Sequence, residues 1–135
     1  MIAPIQYRTG VETTWAASNI GVFSLLSTPV VGLLAGGAGG SVWYASNTFS
    51  TGIVNNATSA TLNAATALPL PLSILSCAAG SAQTASTFEI GNDRSTGGNR
   101  GWQGYIPEAI VFGSTTGVNT PEIAQDISHY YGINI

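Results

Sequence analysis

Lysine is absent from this chain of 135 residues, and arginine occurs only as Arg8, Arg94 and Arg100. Without clustered positive charge a protein cannot neutralise a phosphate backbone, so nucleic acid is excluded as a partner class. A P-loop is excluded as well, because its lysine is missing and the Gly-rich stretch Ala35 to Gly40 has the wrong spacing. The acids are Glu12, Glu89, Asp93, Glu108, Glu122 and Asp126, giving a net charge of −3. Cys77 is the single cysteine and His129 the single histidine. A disulfide framework and a His/Cys metal centre are therefore ruled out. Cys77 sits in the apolar run Ile74 to Ala78, as a small buried hydrophobe rather than a nucleophile. Met1 to Arg8 has no basic segment leading into an apolar one, so no secretory signal is visible.

A membrane span is the next absence. The most apolar window, Ile20 to Leu34, is broken by Ser24, Ser27, Thr28 and Pro29 and has no basic flank. It falls short of the ~18 consecutive apolar residues a spanning helix needs. Gly32 and Gly36 have helix-dimer spacing, but that pattern means little alone. The window reads instead as two buried strands, Ile20–Leu26 and Val30–Leu34, joined by a turn at 27–29.

What is present is short β-type segments cut by Gly, Asn, Ser and Thr. Residues 2–15 predict one or two short strands, with Pro4 at an edge or a strand start. Strands are expected at Ser41–Ala45, around Gly52–Val54, at Ser73–Ala78 and at Thr87–Gly91, the last with Phe88 and Ile90 inward. Residues 58–67 predict a strand or extended loop, and Leu68 to Leu72, with Pro69 and Pro71, an extended edge. The loop from Asn92 to Gly101 is the most polar in the chain. Trp102 to Phe112 then alternates with apolar residues on both faces, which predicts a long, central, covered strand. Gly104 within it suits close approach of a neighbouring strand. The last element is a helix with Thr120 as N-cap, Pro121 in its first turn and Gly132 beyond its end. Ile123, Ile127 and Tyr130 or Tyr131 form its inner stripe, and His129 suits the negative end of the dipole. No internal repeat appears, and the length fits one domain, residues 1–135.

The run Trp102-Gln103-Gly104-Tyr105-Ile106-Pro107-Glu108-Ala109-Ile110-Val111-Phe112, the Pro-started helix and the closing Tyr-Gly-Ile form a specific order of parts. Residues 88–135 resemble the closing segment of the concanavalin A-like lectin/glucanase superfamily, of the laminin G-like kind. The resemblance implies an all-β fold, an antiparallel β-sandwich (a concanavalin A-like jelly roll) with one short C-terminal helix packed across an edge or end. It also implies a buried Trp102 and a structural Glu108, satisfied by backbone donors or an arginine. Part of the family's N-terminal half is lacking, which implies an open edge or a missing layer that a partner subunit supplies.

The superfamily hosts lectins, hydrolases, adhesion modules and virion proteins, so the chemistry must be argued from residues. Retaining glucanases need two carboxylates about 5–5.5 Å apart. The candidate strand carries Glu108 alone, which argues against an enzyme. His129 has no nucleophile elbow to serve. Calcium has one candidate, Asp93 with Asn92 and Asn99, and a single carboxylate makes a weak site. Apart from that ion no cofactor is expected. Asn92, Asp93, Arg94, Asn99 and Arg100 form the expected contact surface, whether for a glycan or a protein. Trp15, Trp43 and Trp102 read as core rather than as a sugar platform. A neutral, Ser/Thr-rich surface with no leader fits a virion or extracellular location. The expectation is a non-enzymatic structural or adhesion module of a phage particle, as a homo-oligomer or beside other virion proteins. A carbohydrate-binding lectin is the alternative.

Overall fold

A computed structural model describes residues 1–16, 20–26, 32–37, 40–45, 49–54, 62, 66–92 and 100–135. Eight strands are defined among these residues: β1 (Ile2–Tyr7), β2 (Gly21–Leu26), β3 (Gly32–Gly36), β4 (Trp43–Ala45), β5 (Phe49–Val54), β6 (Ser73–Ala79), β7 (Thr87–Ile90) and β8 (Gly104–Tyr105). They form two four-stranded antiparallel sheets, ordered β5-β6-β1-β8 and β4-β3-β2-β7. One helix, α1 (Thr120–Tyr131), follows. The protein is all-β with a single C-terminal helix among the described residues.

Strand periodicity divides β1 between two clusters. Ala3, Ile5 and Tyr7 share one face and join the main cluster with Leu75 and Cys77 of β6, and with Val22, Phe23, Leu34 and Trp43 of the other sheet. Ile2 and Ile74 lie on the opposite face and meet Ile127 and Ile133. The register agrees, since Pro4 is paired with Ile74 and Ile2 with Ser76. Both faces of β1 and β6 are thus covered, one by the other sheet's side chains and one by α1. The helix touches β1 and β6, the inner strands of their sheet, so it packs on a sheet face rather than across an edge or end as expected. Each fully buried Ile, Leu or Phe contributes about 1.5–3 kcal/mol.

The strand expected at 102–112 is interrupted. Gly104 and Tyr105 pair with Tyr7 and Gln6, and a single bridge joins Ile110 to Ile2, with no ladder between. The even residues of β1 turn their N–H toward this segment, as Ile2 N bonding Ile110 O and Arg8 N bonding Gln103 O show. Pro4 falls in that row with no N–H to offer, and Pro107 lacks one on the other side. The segment is an outer edge and not a covered centre: Tyr105 is 66% exposed and Val111 51%. By the same geometry Pro4 sits in an inner strand, where its missing donor faces the gap.

Other elements refine the reading. β3 begins at Gly32, and Gly32 and Gly36 belong to a strand rather than a helix. The turn expected at 27–29 lies outside the described residues, as does most of 58–67. Leu68 and Leu70 are buried, with Leu70 O accepting from Tyr7 N, while Pro69 and Pro71 are exposed. That segment is wall rather than edge. Phe88 packs on the core, but Ile90 is 46% exposed and does not point inward. The helix is capped by Asn119, whose Oδ1 accepts from Glu122 N, and not by Thr120, which is the first helical residue. Asn119 Nδ2 also donates to the Glu122 carboxylate at 2.8 Å. Gly132 closes the helix in the left-handed region, at φ 65°. No described helix is long and apolar enough to cross a membrane.

Candidate functional site

The segment joining β7 to β8 is pinned at both ends. Ser24 Oγ donates to Asn92 O at 3.3 Å, and Asn92 Nδ2 donates to the Glu89 carboxylate at 3.2 Å. Gly21 N donates to Arg100 O at 2.9 Å, and Trp102 N to Gly91 O at 2.8 Å, so the two ends are tied to β2 and to each other. Gly91 supplies a positive φ of 75° where the chain leaves β7. Of the five expected contact residues, Asn92 and Arg100 stand half-buried at this base. Asp93, Arg94 and Asn99 lie outside the described residues.

Beneath the base lies an aromatic cluster. Trp102 donates its indole N–H to Gln6 O at 3.1 Å, and its ring lies 5.6 Å from Tyr7 and 6.0 Å from Trp15. Trp15 meets Tyr7 edge-on at 4.6 Å and Trp43 at 5.7 Å. Tyr7 Oη accepts from Ala16 N, which ties the chain after β1 to the same cluster. Trp15 and Trp43 are buried and Trp102 is half-buried, so these rings form a packed wall and not an exposed platform. The exposed aromatics lie elsewhere: Tyr44, Tyr105 and Tyr130, the last 82% exposed. Helical spacing from Ile123 through Ile127 reaches Tyr131, leaving Tyr130 outside the inner stripe.

Glu108 is exposed, and its Oε2 accepts from Tyr131 Oη at 3.3 Å. Its partner is thus a tyrosine hydroxyl, where a backbone donor or an arginine was expected. Burial and the neighbouring Glu108 carboxylate push the Tyr131 hydroxyl above its ordinary value. Glu12 closes the turn after β1 by accepting from Thr9 N, Thr9 Oγ1 and Gly10 N. Desolvation opposes ionisation of Glu12, but hydrogen bonding from its own backbone, together with the Thr9 and Gly10 bonds, outweighs it and holds the carboxyl below the usual range. Burial pushes the Cys77 thiol up to about 11, so it is a poor nucleophile near neutral pH. His129 is exposed in the last turn of α1. Among the described residues no three His, Cys, Asp or Glu side chains gather to hold a metal.

A cleft of about 560 Å³ opens at the end where β1 begins and β6 finishes. Met1, Leu25, Phe49, Phe88 and Val111 supply its apolar wall. Sequence reasoning missed it, because its residues come from separate strands with nothing in common but position. No family model, curated protein or solved structure matches the chain.

Proposed function

We propose that the chain is a non-enzymatic structural or adhesion module of a virus particle, such as a capsid decoration or fibre protein, built as a concanavalin A-like jelly-roll sandwich. The observation that carries this reading is the surface. Large apolar side chains stand exposed at Val11, Tyr105, Val111 and Tyr130 on a protein with three basic and six acidic residues. A surface so weakly charged resists association poorly, and exposed tyrosines are favoured contact residues. Both features suit a subunit surrounded by neighbours, as a homo-oligomer or beside other virion proteins. The two antiparallel sheets and closing helix are compatible with the resemblance of residues 88–135. Density-gradient fractionation of the producing lysate, with peptide mass spectrometry across the fractions, tests the proposal. Co-sedimentation with particles holding a capsid protein and DNA is expected; recovery only as a small species at the top overturns it.

The second reading is a carbohydrate-binding lectin, favoured by the pinned base at Asn92 and Arg100. Replacing Asp93 and Asn99 by Ala would then abolish glycan-array binding while leaving the melting temperature nearly unchanged. If calcium takes part through Asp93, EGTA would abolish the binding too. Binding that survives the substitutions removes the loop as the site.

A further inference from the structure

The cleft lies in line with β1, and it is a gap one strand wide. Cys77 N donates to Met1 O at 2.9 Å, and the Met1 ammonium donates to Cys77 O at 2.8 Å, so the β1–β6 ladder ends at this pair. On the other side Ile2 and Ile110 exchange both of their backbone bonds. β1 thus holds β6 and the 110–112 segment two strand spacings apart, roughly 9.5 Å. Both flanks run on past Met1. Ala78, Ala79 and Gly80 line the cleft from the β6 side, and Val111, Phe112 and Gly113 from the other. Alternation makes Ala79 and Phe112 the next residues in their rows to turn backbone groups toward the gap. Ala79 is exposed and Phe112 half-buried.

Such a gap suits an extended chain, and it selects one end of that chain. Met1 closes the gap at its inner end, so an occupant must finish there and an internal segment of a longer chain cannot thread it. A strand entering antiparallel to β6 brings its carboxyl end to the Met1 ammonium, which has one hydrogen bond, to Cys77 O. A strand entering the other way brings an amino end to a like charge. Hydrogen bonds between an ammonium and a carboxylate are roughly twice as strong as neutral ones. No Asp or Glu among the described residues lines the cleft, so the ammonium has no counter-charge within it. Strand parity divides the walls. Odd residues of β1 face the main cluster and even ones face α1. An occupant's last side chain therefore meets Val118 and Thr120 on the α1 side, and its penultimate one meets Leu25, Phe49 and Phe88. We propose that the cleft captures the C-terminal end of an extended peptide, added as a strand in line with β1, with its carboxylate on the Met1 ammonium and an apolar penultimate side chain. Main-chain pairing supplies the affinity, and the ammonium and the apolar wall supply the selection. This capture site is independent of the virion reading.

Dansyl-Gly-Leu-Ala with a free carboxylate is the probe. Its carboxamide, and dansyl-Gly-Asp-Ala, are the controls. Titrated against the full chain, with the free α-amino group verified by mass spectrometry, the probe should give a saturable rise in anisotropy with one site per chain. Each control should bind at least tenfold more weakly. The chain has no lysine, so acetylation acts on the α-amino group as its only amine, and it should weaken the probe at least tenfold. Gly-Ser placed ahead of Met1 should fill the gap and abolish binding. Tyr105→Asp, at an exposed position outside the lining, should leave the affinity within twofold. Circular dichroism establishes that each form is folded, and the acetylated chain carries the test if the extended one is not. Absence of saturable binding to the folded chain overturns the proposal. So does equal affinity for the probe and either control, or binding unchanged in the folded acetylated or extended chain.

Discussion

Gly104 makes the tightest approach to the sheet next to it. A Cβ built there would run into the carbonyl of Gln6 and lie 2.9 Å from Arg8 N, both backbone atoms that cannot swing aside. Gly104→Val should therefore destabilise the protein by at least about 1–3 kcal/mol, read as a lower urea midpoint. An unchanged midpoint would mean that β8 does not pair with β1. The expectation of close approach at Gly104 was legible in the strand pattern, whereas the partner was not. Glu108 shows the reverse. Its isolation from other acids was visible in the sequence, but its bond to Tyr131 depends on how α1 lies over the sheet. Because the folded hydroxyl is raised above its ordinary value of 10.0, the unfolded chain loses this proton first as pH climbs. The pair's contribution is present below that pH and is lost as pH rises through the folded value. Ultraviolet difference titration against Tyr131→Phe should show ionisation above 10.0, and Glu108→Gln should bring it down. A Tyr131 transition indifferent to Glu108→Gln would contradict the contact.

At the scale of elements, the helix was the most legible part. Its proline, its acidic first turn and its closing glycine are local signals that need no partner. Even so, Asn119 and Thr120 are both good caps by type, and the backbone chose Asn119. Asn119→Ala should lower stability by about 0.5–2 kcal/mol, while Thr120→Ala should cost clearly less. Thermal melts of the two variants decide between them, and the opposite order would return the cap to Thr120. The 102–112 strand failed for a reason that alternation cannot express. A ladder needs donors from both strands, and Pro4 and Pro107 meet across the same gap although a hundred residues of chain separate them. The Leu-Pro-Leu-Pro-Leu segment was misjudged likewise. Its prolines forbid a ladder, but its alternation still turns Leu68 and Leu70 into the core.

For the whole molecule, both sheets are small and end in edge strands, β5 and β8 in one and β4 and β7 in the other, with few charges to discourage pairing between copies. Multi-angle light scattering should find a mass that is a multiple of the 13.8 kDa chain. A monomer at all concentrations would remove the support that the exposed apolar surface gives to an assembled subunit. Neither the cleft nor the pinned loop base could be foreseen, because each joins residues tens of positions apart.

The sequence by itself determined the β class and the closing helix. These rest on composition and on period, which are properties of neighbouring residues. Only the tertiary structure decided which strands are inner and which are edges, that α1 covers a sheet face, that Tyr131 answers Glu108, and that a cleft opens where β1 begins. Those follow from which strands pair and in what register, and pairing is settled by the joint burial of distant side chains.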